Sequence, residues 1–129
     1  MSCSFGFTKL VVADLEAMTE YYCAVYAMTV LDRIEAVVGT ENIVQTVLTT
    51  GSGPPLLLIR YYGRNPPEVG EVLLGFFCDN GDETTRRCEK AGGKVCIGAK
   101  THGDLRNAFL ADPEGHITEI VEMLAPRER

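Results

Sequence analysis

Residues 108–119 read AFLADPEGHITE, and their pattern gives the clearest structural signal in the C-terminal half of the chain. Within it, DPEG at 112–115 places Asp, Pro and Gly at the first, second and fourth positions of a type I turn, where each is favoured. Segments rich in apolar and β-branched residues flank the turn. We therefore expect two strands, residues 105–111 and 116–123, joined as a hairpin.

The elements that precede the hairpin form a series that is predicted twice along the chain. In the second half, a strand at 71–78, a helix and a strand that starts at 94–97 precede the hairpin. The helix runs through Arg86, Glu89 and Lys90. Asp79 or Asp82 caps its start, and Gly92-Gly93 ends it. In the first half they are a strand at 5–12, a helix at 15–28 with Asp14 as its N-cap, and strands at 28–38, 43–49 and 56–62.

The order βαβββ therefore occurs twice, in halves of about 60 residues that meet near Gly63. The stretch GRNPP at 63–67 is the best candidate for the linker between them. We predict a single α+β domain, residues 1–129, built from two tandem βαβββ modules at about 5–62 and about 71–124.

The composition excludes several classes of protein. The 129 residues carry a net charge of −6 with a pI near 4.9, and such a charge repels nucleic acids and anionic membranes. The N-terminal MSCS has neither the basic residues nor the apolar core of a signal peptide. The five cysteines, which form no C-x-x-C pair, are Cys3, Cys23, Cys78, Cys88 and Cys96. We expect them to be reduced thiols that mostly fill the core. This cysteine usage is typical of a soluble cytoplasmic protein.

Two charged residues fall on strand faces that are otherwise apolar. In the last strand, Glu119 alternates with Ile117 and Val121, and in the first strand Lys9 is the only charge on its face. A buried charge is costly unless it is paired, bound to a metal or solvated. Two readings stay open: either residue lies where the sheet meets water, with Lys9 protecting an edge, or both share one pocket as an ion pair or acid–base partners.

Three motifs carry a resemblance to a known family. They are VVADLE at 11–16 running into Tyr21-Tyr22, AGGKV at 91–95, and AFLADPEGHITE at 108–119. In this order on a duplicated βαβββ frame, the chain resembles the vicinal oxygen chelate superfamily from about Phe7 to Met123. That superfamily includes glyoxalase I, fosfomycin- and bleomycin-resistance proteins and extradiol dioxygenases. The resemblance implies cupped mixed sheets that hold a divalent metal.

The resemblance also implies which positions carry the metal ligands. They correspond here to Phe7, Leu57, Leu73 and Glu119, so only Glu119 is a usable ligand. One carboxylate cannot fix the coordination of a hard divalent ion, and neighbouring residues do not supply replacements. We therefore expect no bound metal, the alternative cofactor being a divalent ion such as Zn, Ni, Mn or Fe.

The two histidines are the remaining candidates for substitute ligands. His116 has the opposite strand parity to Glu119, so we expect it to point away from the cup. His102 lies in the glycine-flanked stretch 98–103, which we read as a loop that could reach the cup mouth. A solvated loop histidine is the favoured interpretation, since it has no evident partners.

The implied cup combines apolar side chains with two opposed charges, as small-molecule sites do. Gly75, which has no side chain, leaves room for a ligand or marks a bulge. Residues at the end of the fourth strand form either a rim or plain surface: Arg60, Tyr61, Tyr62 and Arg64. The predicted lining residues are Phe7, Lys9, Leu57, Ile59, Leu73, Gly75, Phe77, Ile117 and Glu119.

Three functions fit this pattern. The first is a metal-independent cup that holds a largely apolar organic molecule, either to sequester it or to move a proton as an isomerase or lyase does. There Glu119 would act as general acid or base and Lys9 would stabilise an oxyanion. The second is a metal-dependent glyoxalase-like lyase or dioxygenase. The third is a non-catalytic interaction subunit whose cup is filled by its own side chains.

The expected partners follow from the same observations. A small-molecule ligand is expected, and nucleic acid and membrane are not. Members of the resembled family with eight strands pair as homodimers, so a homodimer is expected here. The apolar strands at 43–48 and 56–59 are compatible with a covered edge.

Overall fold

The structure, a computed structural model, describes residues 2–124 of the chain. The ends of the predicted domain 1–129, Met1 and residues 125–129, lie outside the described residues. The predicted order βαβββ–βαβββ is confirmed, and the chain divides into two compact units on either side of the Glu68–Val69 bond. Within the described part of the chain, neither helix is long and apolar enough to cross a membrane.

The first unit is a four-stranded mixed sheet with one helix. Its strand order is β1-β4-β3-β2, in which β1 runs parallel to β4 and the other neighbours are antiparallel. The elements are β1 (Thr8–Val11), α1 (Leu15–Tyr26), β2 (Thr29–Val38), β3 (Glu41–Thr49) and β4 (Leu56–Tyr61).

Helix α1 packs its apolar stripe on one face of this sheet. The Asp14 carboxylate accepts a hydrogen bond from the backbone N–H of Ala17 at 3.0 Å, which confirms Asp14 as the N-cap. The hydroxyls of Thr19 and Thr46 are 2.9 Å apart, so Thr46 on β3 faces the helix. Because strand side chains alternate, the neighbouring Gln45 lies on the opposite face of the sheet.

Helix α1 ends at a residue in the left-handed conformation, Ala27, with φ 55° and ψ 35°. Glycine is the usual residue there, since a Cβ makes this conformation unfavourable by roughly 1 kcal/mol. The helix is therefore two residues shorter than predicted, and strand β2 begins at Thr29.

The second unit repeats the arrangement of the first. Its strand order is β5-β8-β7-β6, again with the first strand parallel to the last. The elements are β5 (Leu73–Phe77), α2 (Gly81–Lys90), β6 (Lys94–His102), β7 (Leu105–Ala111) and β8 (Ile117–Met123).

Two sequence-based expectations about the second unit are wrong. The N-cap of α2 is Asn80, not Asp79 or Asp82, and its side-chain oxygen accepts from the backbone N–H of Glu83 at 3.1 Å. Strand β6 continues through His102, so that histidine ends a strand and does not lie in a loop. Two irregularities in the β6–β7 register accommodate the glycine-containing part of β6.

The turn at 112–115 forms as predicted, with the Gly115 N–H donating to the Asp112 carbonyl at 2.9 Å. The buried Asp112 carboxylate organises this turn. One of its oxygens accepts from the backbone N–H groups of Glu114 and His116 at 2.9 and 3.0 Å. The other lies 2.8 Å from Nδ1 of the buried His116 ring. Asp112 thus joins both arms of the hairpin.

The cysteines are unpaired, but most of them do not fill the core. Cys88 is buried, whereas Cys3 and Cys96 are exposed. Burial raises the pKa of the Cys23 and Cys78 thiols, which lie partly exposed. The prediction of core-filling cysteines is therefore wrong for the exposed pair.

Candidate functional site

The two faces of the second sheet are distinguished by contacts to α2. The carboxylate of Glu122 accepts a hydrogen bond from the Gly81 backbone N–H at 2.7 Å, so Glu122 lies on the helix side. Strand alternation then places Glu119 and Val121 on the opposite face. We call this opposite face the carboxylate face; it comprises Leu73, Gly75, Phe77, Ile97, Asn107, Phe109, Ile117, Glu119 and Val121.

On the carboxylate face, an amide holds the Glu119 carboxylate. Nδ2 of Asn107 donates to Oε2 of Glu119 at 3.0 Å. The two residues are diagonal neighbours, because Asn107 pairs with Val121 while Glu119 pairs with Phe109. The bond orients the carboxylate, and its other oxygen, Oε1, has no hydrogen-bond partner among the described residues.

The side chains around Glu119 are apolar and largely open to solvent. Leu73 is 51%, Phe77 76% and Ile97 51% exposed. Phe109, Ile117 and Val121 are partly buried between them. A patch of large exposed apolar side chains around a single oriented carboxylate is typical of a surface that binds a ligand or partner.

Gly75 lies directly beside the carboxylate. It pairs with Glu119 across the parallel β5–β8 ladder, and β5 is an edge strand. A Cβ built on Gly75 would have no atom within 4 Å. The backbone there is a regular strand, so Gly75 creates open space and not a bulge.

The first sheet carries the other predicted lining residues on its face away from α1. Lys9 pairs with Leu57, and Ile59 pairs with Val11. Leu57 is only 7% and Ile59 1% exposed, whereas Leu73 and Phe77 on the carboxylate face are more than half exposed. Phe7 precedes β1 and is 53% exposed, and the Lys9 ammonium lies 5.8 Å from its ring centroid.

The pairing registers relate the two sheets position by position. Lys9 with Leu57 in the first sheet corresponds to Gly75 with Glu119 in the second. Leu57 therefore occupies the place of Glu119, as the sequence resemblance implies. Whether Lys9 and Glu119 act together stays a prediction, since they belong to different units.

The predicted rim residues form a local cation–π cluster. The Arg64 guanidinium lies 4.0 Å from the Tyr61 ring centroid and 2.8 Å from a Glu41 carboxylate oxygen. The Arg60 guanidinium lies 5.4 Å from the ring of Tyr62. Alternation places Arg60 on the sheet face opposite to Leu57 and Ile59, so it does not share their side.

The two histidines are placed differently. His116 is buried and bonded to Asp112 in the turn, in agreement with its predicted direction away from Glu119. His102 is exposed at the end of β6, where it pairs with Leu105 at the far end of the hairpin from the turn.

The residues at the implied ligand positions do not fit a divalent metal. Phe7, Leu57 and Leu73 offer no donor atom, and Glu119 has an amide as its polar neighbour. Among the residues that the structure describes, no three His, Cys, Asp or Glu side chains converge as a metal site would require. A hard divalent ion needs several oxygen or nitrogen ligands in fixed geometry, which this donor set does not provide.

Two polar residues of these faces were not among the predicted site residues. Asn107 and Gln45 occupy equivalent positions, since Asn107 pairs with Val121 and Gln45 with Ile59. The signal in the sequence is strand parity: Asn107 alternates with Phe109 and Ala111, and Gln45 with Ile43 and Val47. Asn107 is the polar exception on its strand face, and Gln45 is a polar residue between two apolar ones on its own face.

The family model of the Glyoxalase/Bleomycin resistance protein/Dioxygenase superfamily matches residues 4–120. This match covers most of the chain, and the protein belongs to that superfamily. The resemblance expected from the three sequence motifs is confirmed. No curated protein matches the sequence.

Solved structures of the same fold include enzymes and uncharacterised proteins. A glyoxalase family protein from Bacillus cereus is 14% identical over 97% of both chains, with a TM-score of 0.85. The trypanothione-dependent glyoxalase I of Leishmania major is 22% identical over 94% of this chain and 87% of its own, with a TM-score of 0.73. TioX from Micromonospora sp. ML1 is 21% identical over 95% of this chain and 100% of its own, with a TM-score of 0.68. At these identities the likeness establishes the fold alone.

Proposed function

We propose that this protein binds a small, largely apolar organic molecule on the carboxylate face, without a bound metal. The observation that carries the proposal is the Glu119–Asn107 pair, an oriented carboxylate with a free oxygen among exposed apolar side chains. Covering such side chains stabilises a complex by roughly 25 cal/mol per Å² of apolar surface. A hydrogen-bond donor on the ligand would meet Oε1 of Glu119.

The bound molecule is either sequestered unchanged or isomerised by proton transfer. In the second case, Glu119 takes a proton from the carbon between a carbonyl group and a carbon–carbon double bond. It returns the proton to the far carbon of that double bond, which moves into conjugation with the carbonyl group. This step balances without an oxidant or a reductant. Stabilisation of the negative charge on the carbonyl oxygen by Lys9, which belongs to the first unit, stays a prediction of the sequence.

The metal-free part of the proposal is tested by elemental analysis of the purified protein before and after dialysis against Zn, Ni, Mn and Fe(II). We expect far less than one ion per chain under all conditions, because three of the four implied ligand positions are apolar. Stoichiometric metal would contradict this expectation and favour the metal-dependent lyase or dioxygenase.

Ligand binding is tested with N-phenyl-1-naphthylamine, an apolar dye with one N–H donor whose fluorescence rises in apolar surroundings. We expect Phe77→Ala to weaken dye binding by about tenfold, through lost contact area, and Glu119→Gln by about fivefold. Phe77 is 76% exposed, so its truncation should leave stability nearly unchanged.

The matched control for these variants is Glu122→Gln, since Glu122 lies on the same strand but faces α2. It should bind the dye as the wild type does. Equal binding by the wild type, Phe77→Ala and Glu119→Gln, or no dye binding at all, would rule out the carboxylate face as the site.

A second candidate function is a non-catalytic interaction subunit. The burial of Leu57 and Ile59 favours it, because this part of the predicted cup is already filled by protein. Absence of dye binding would support this candidate.

We also propose that the protein is a cytoplasmic homodimer. The dimer is supported by β2, an edge strand whose outer backbone groups can pair with a strand of another chain. Its exposed apolar side chains are Val30, Leu31, Val37 and Val38. The five unpaired cysteines support a reducing compartment.

A further inference from the structure

Strand β2 is the outer strand of the first sheet, and within residues 2–124 no strand pairs with its second edge. It is ten residues long, and every residue in it except the half-buried Ile34 is exposed. Its exposed apolar side chains lie at the two ends, at residues 30–31 and 37–38. A long apolar edge of this kind pairs readily with a strand of another chain.

The equivalent outer strand of the second sheet, β6, carries features that protect an edge. Its register with β7 has two irregularities, and it contains Lys94 and Lys100. Lysines and bulges are common devices against edge pairing. Strand β2 contains no lysine, and its one irregularity, between Val30 and Asp32, leaves the rest of the strand in unbroken register with β3. Of these two strands, β6 is therefore protected and β2 is open to pairing.

Symmetry limits how two copies of β2 can pair as antiparallel neighbours. Opposed side chains share a face of the sheet, and a two-fold axis perpendicular to the sheet preserves the faces. One residue must therefore lie opposite itself. A register centred on Asp32, Arg33 or Glu35 brings two like charges together, which is unfavourable. A register centred on Ile34 instead sets Arg33 of each chain opposite Glu35 of the other.

The register centred on Ile34 also brings the apolar ends of β2 together. Residues 30–31 of one chain lie near residues 37–38 of the other, and all four side chains are apolar and exposed in the single chain. Their contact removes apolar surface from water at both ends of the paired strands. The strand is thus complementary to itself in charge and in hydrophobicity at the same register.

Both charged groups of this register are available to a second chain. Arg33 pairs with Thr46, whose hydroxyl contacts Thr19 of α1, so Arg33 and Glu35 lie on the helix side of the sheet. Glu35 has no hydrogen bond or ion pair among the described residues. Nη1 of Arg33 bonds Glu16 at 2.7 Å, which leaves the donors on Nε and Nη2 for a carboxylate across the strand pair.

We propose that the homodimer forms by antiparallel pairing of β2 with β2 of a second copy of the chain, centred on Ile34. The two four-stranded sheets would join into one sheet across the two-fold axis. Main-chain hydrogen bonds would supply affinity, and the two Arg33–Glu35 pairs would fix the register. The inference rests on the proposed homodimer, since it names the surface and the register by which that dimer forms.

The first test reverses one charge at a time. Arg33→Glu and Glu35→Arg each place like charges opposite one another in the dimer. By sedimentation equilibrium at low salt, we expect each variant to raise the dimer dissociation constant by about tenfold or more. A one-to-one mixture of the two variants should recover dimers, because each variant supplies the charge that the other lacks. Native mass spectrometry should show these dimers to contain one chain of each variant.

The matched control for the charge variants is Glu16→Gln, which removes the partner of Arg33 within the chain but leaves the proposed interface intact. It should not raise the dissociation constant. The charged side chains involved are exposed, so each variant should keep a Tm close to that of the wild type.

The second test is cross-linking in a chain whose exposed cysteines, Cys3 and Cys96, are replaced by serine. In the proposed register, Ile34→Cys brings two thiols face to face across the axis, and oxidation should link the dimer covalently. Asp32→Cys is the control, because its two thiols would lie about 13 Å apart along the strands. A cross-link from Asp32→Cys and none from Ile34→Cys would overturn the proposed register.

The outcomes separate this inference from the proposal on which it rests. A monomeric wild type would overturn both the homodimer and the β2 interface. A wild-type dimer that neither charge variant weakens, or a mixture that fails to form mixed dimers, would overturn the β2 interface and leave the homodimer standing. Binding of the naphthylamine dye concerns the second sheet and tests the ligand site separately.

Discussion

Replacement of Asp112 by alanine is expected to lower the free energy of unfolding by about 3–5 kcal/mol. The carboxylate is fully buried, accepts two backbone N–H groups and lies 2.8 Å from the His116 ring. Its removal leaves those donors unsatisfied in the interior and a buried histidine without its acidic partner. Asp112→Asn should lose less, because it retains one acceptor oxygen.

Urea denaturation at neutral pH measures this effect as a shift of the transition midpoint. The control is Asp79→Ala, an exposed aspartate that neither caps α2 nor belongs to the turn. It should change stability by no more than about 0.5 kcal/mol. A loss below about 1 kcal/mol for Asp112→Ala would mean that the hairpin closes through its backbone pairing alone.

Ile59→Ala is expected to lower the free energy of unfolding by about 2–5 kcal/mol, the usual cost of truncating a buried isoleucine. Ile59 is 1% exposed at the pairing positions of Val11 and Gln45. Its truncation would open a cavity between strands that are held in register. The expected loss treats Ile59 as core, although the sequence placed it in the ligand cup.

Leu73→Ala is the matched control, because Leu73 occupies an implied ligand position but is 51% exposed. The free energy of unfolding should change by about 0.5 kcal/mol or less for this variant, and the denaturation midpoint should move little. If Ile59→Ala cost no more than Leu73→Ala, then Ile59 would line an open cavity and the original assignment to the cup would stand.

The local features of the fold could be predicted from the sequence. The turn at 112–115 and the strand at 105–111 depend on neighbouring residues, and both were placed correctly. The start of β1 was not, since Phe5 and Phe7 suit a strand but precede the first residue that pairs with β4. The length of an edge strand depends on its neighbour, which local propensity does not report.

The errors at α2 and β6 have a similar origin. Asn80 and Asp79 are equally good capping residues, and the choice between them depends on where the chain leaves β5. Gly98 suggests a loop, yet the pairing with β7 continues through two irregularities as far as His102.

The sequence predicts which sheet face each candidate site residue lies on, but not how deeply the residue is buried. Strand parity placed Glu119 on an apolar face, and the structure agrees. Strand parity also applies to Gln45. That its buried amide oxygen has no hydrogen-bond partner can be seen only from the contacts in the structure. The contrast between buried Leu57 and exposed Leu73 depends on long-range packing, which the alternation of a single strand does not encode.

The open space at Gly75 bears on how this lineage can change its chemistry. Glycine codons differ from those of aspartate or glutamate by a single nucleotide, and a side chain at Gly75 would meet no atom within 4 Å of its Cβ. Such a substitution would set a second carboxylate beside Glu119 without rebuilding the core. Two carboxylates are still fewer donors than a divalent ion needs, so ion-dependent chemistry on this scaffold requires further substitutions at the apolar ligand positions.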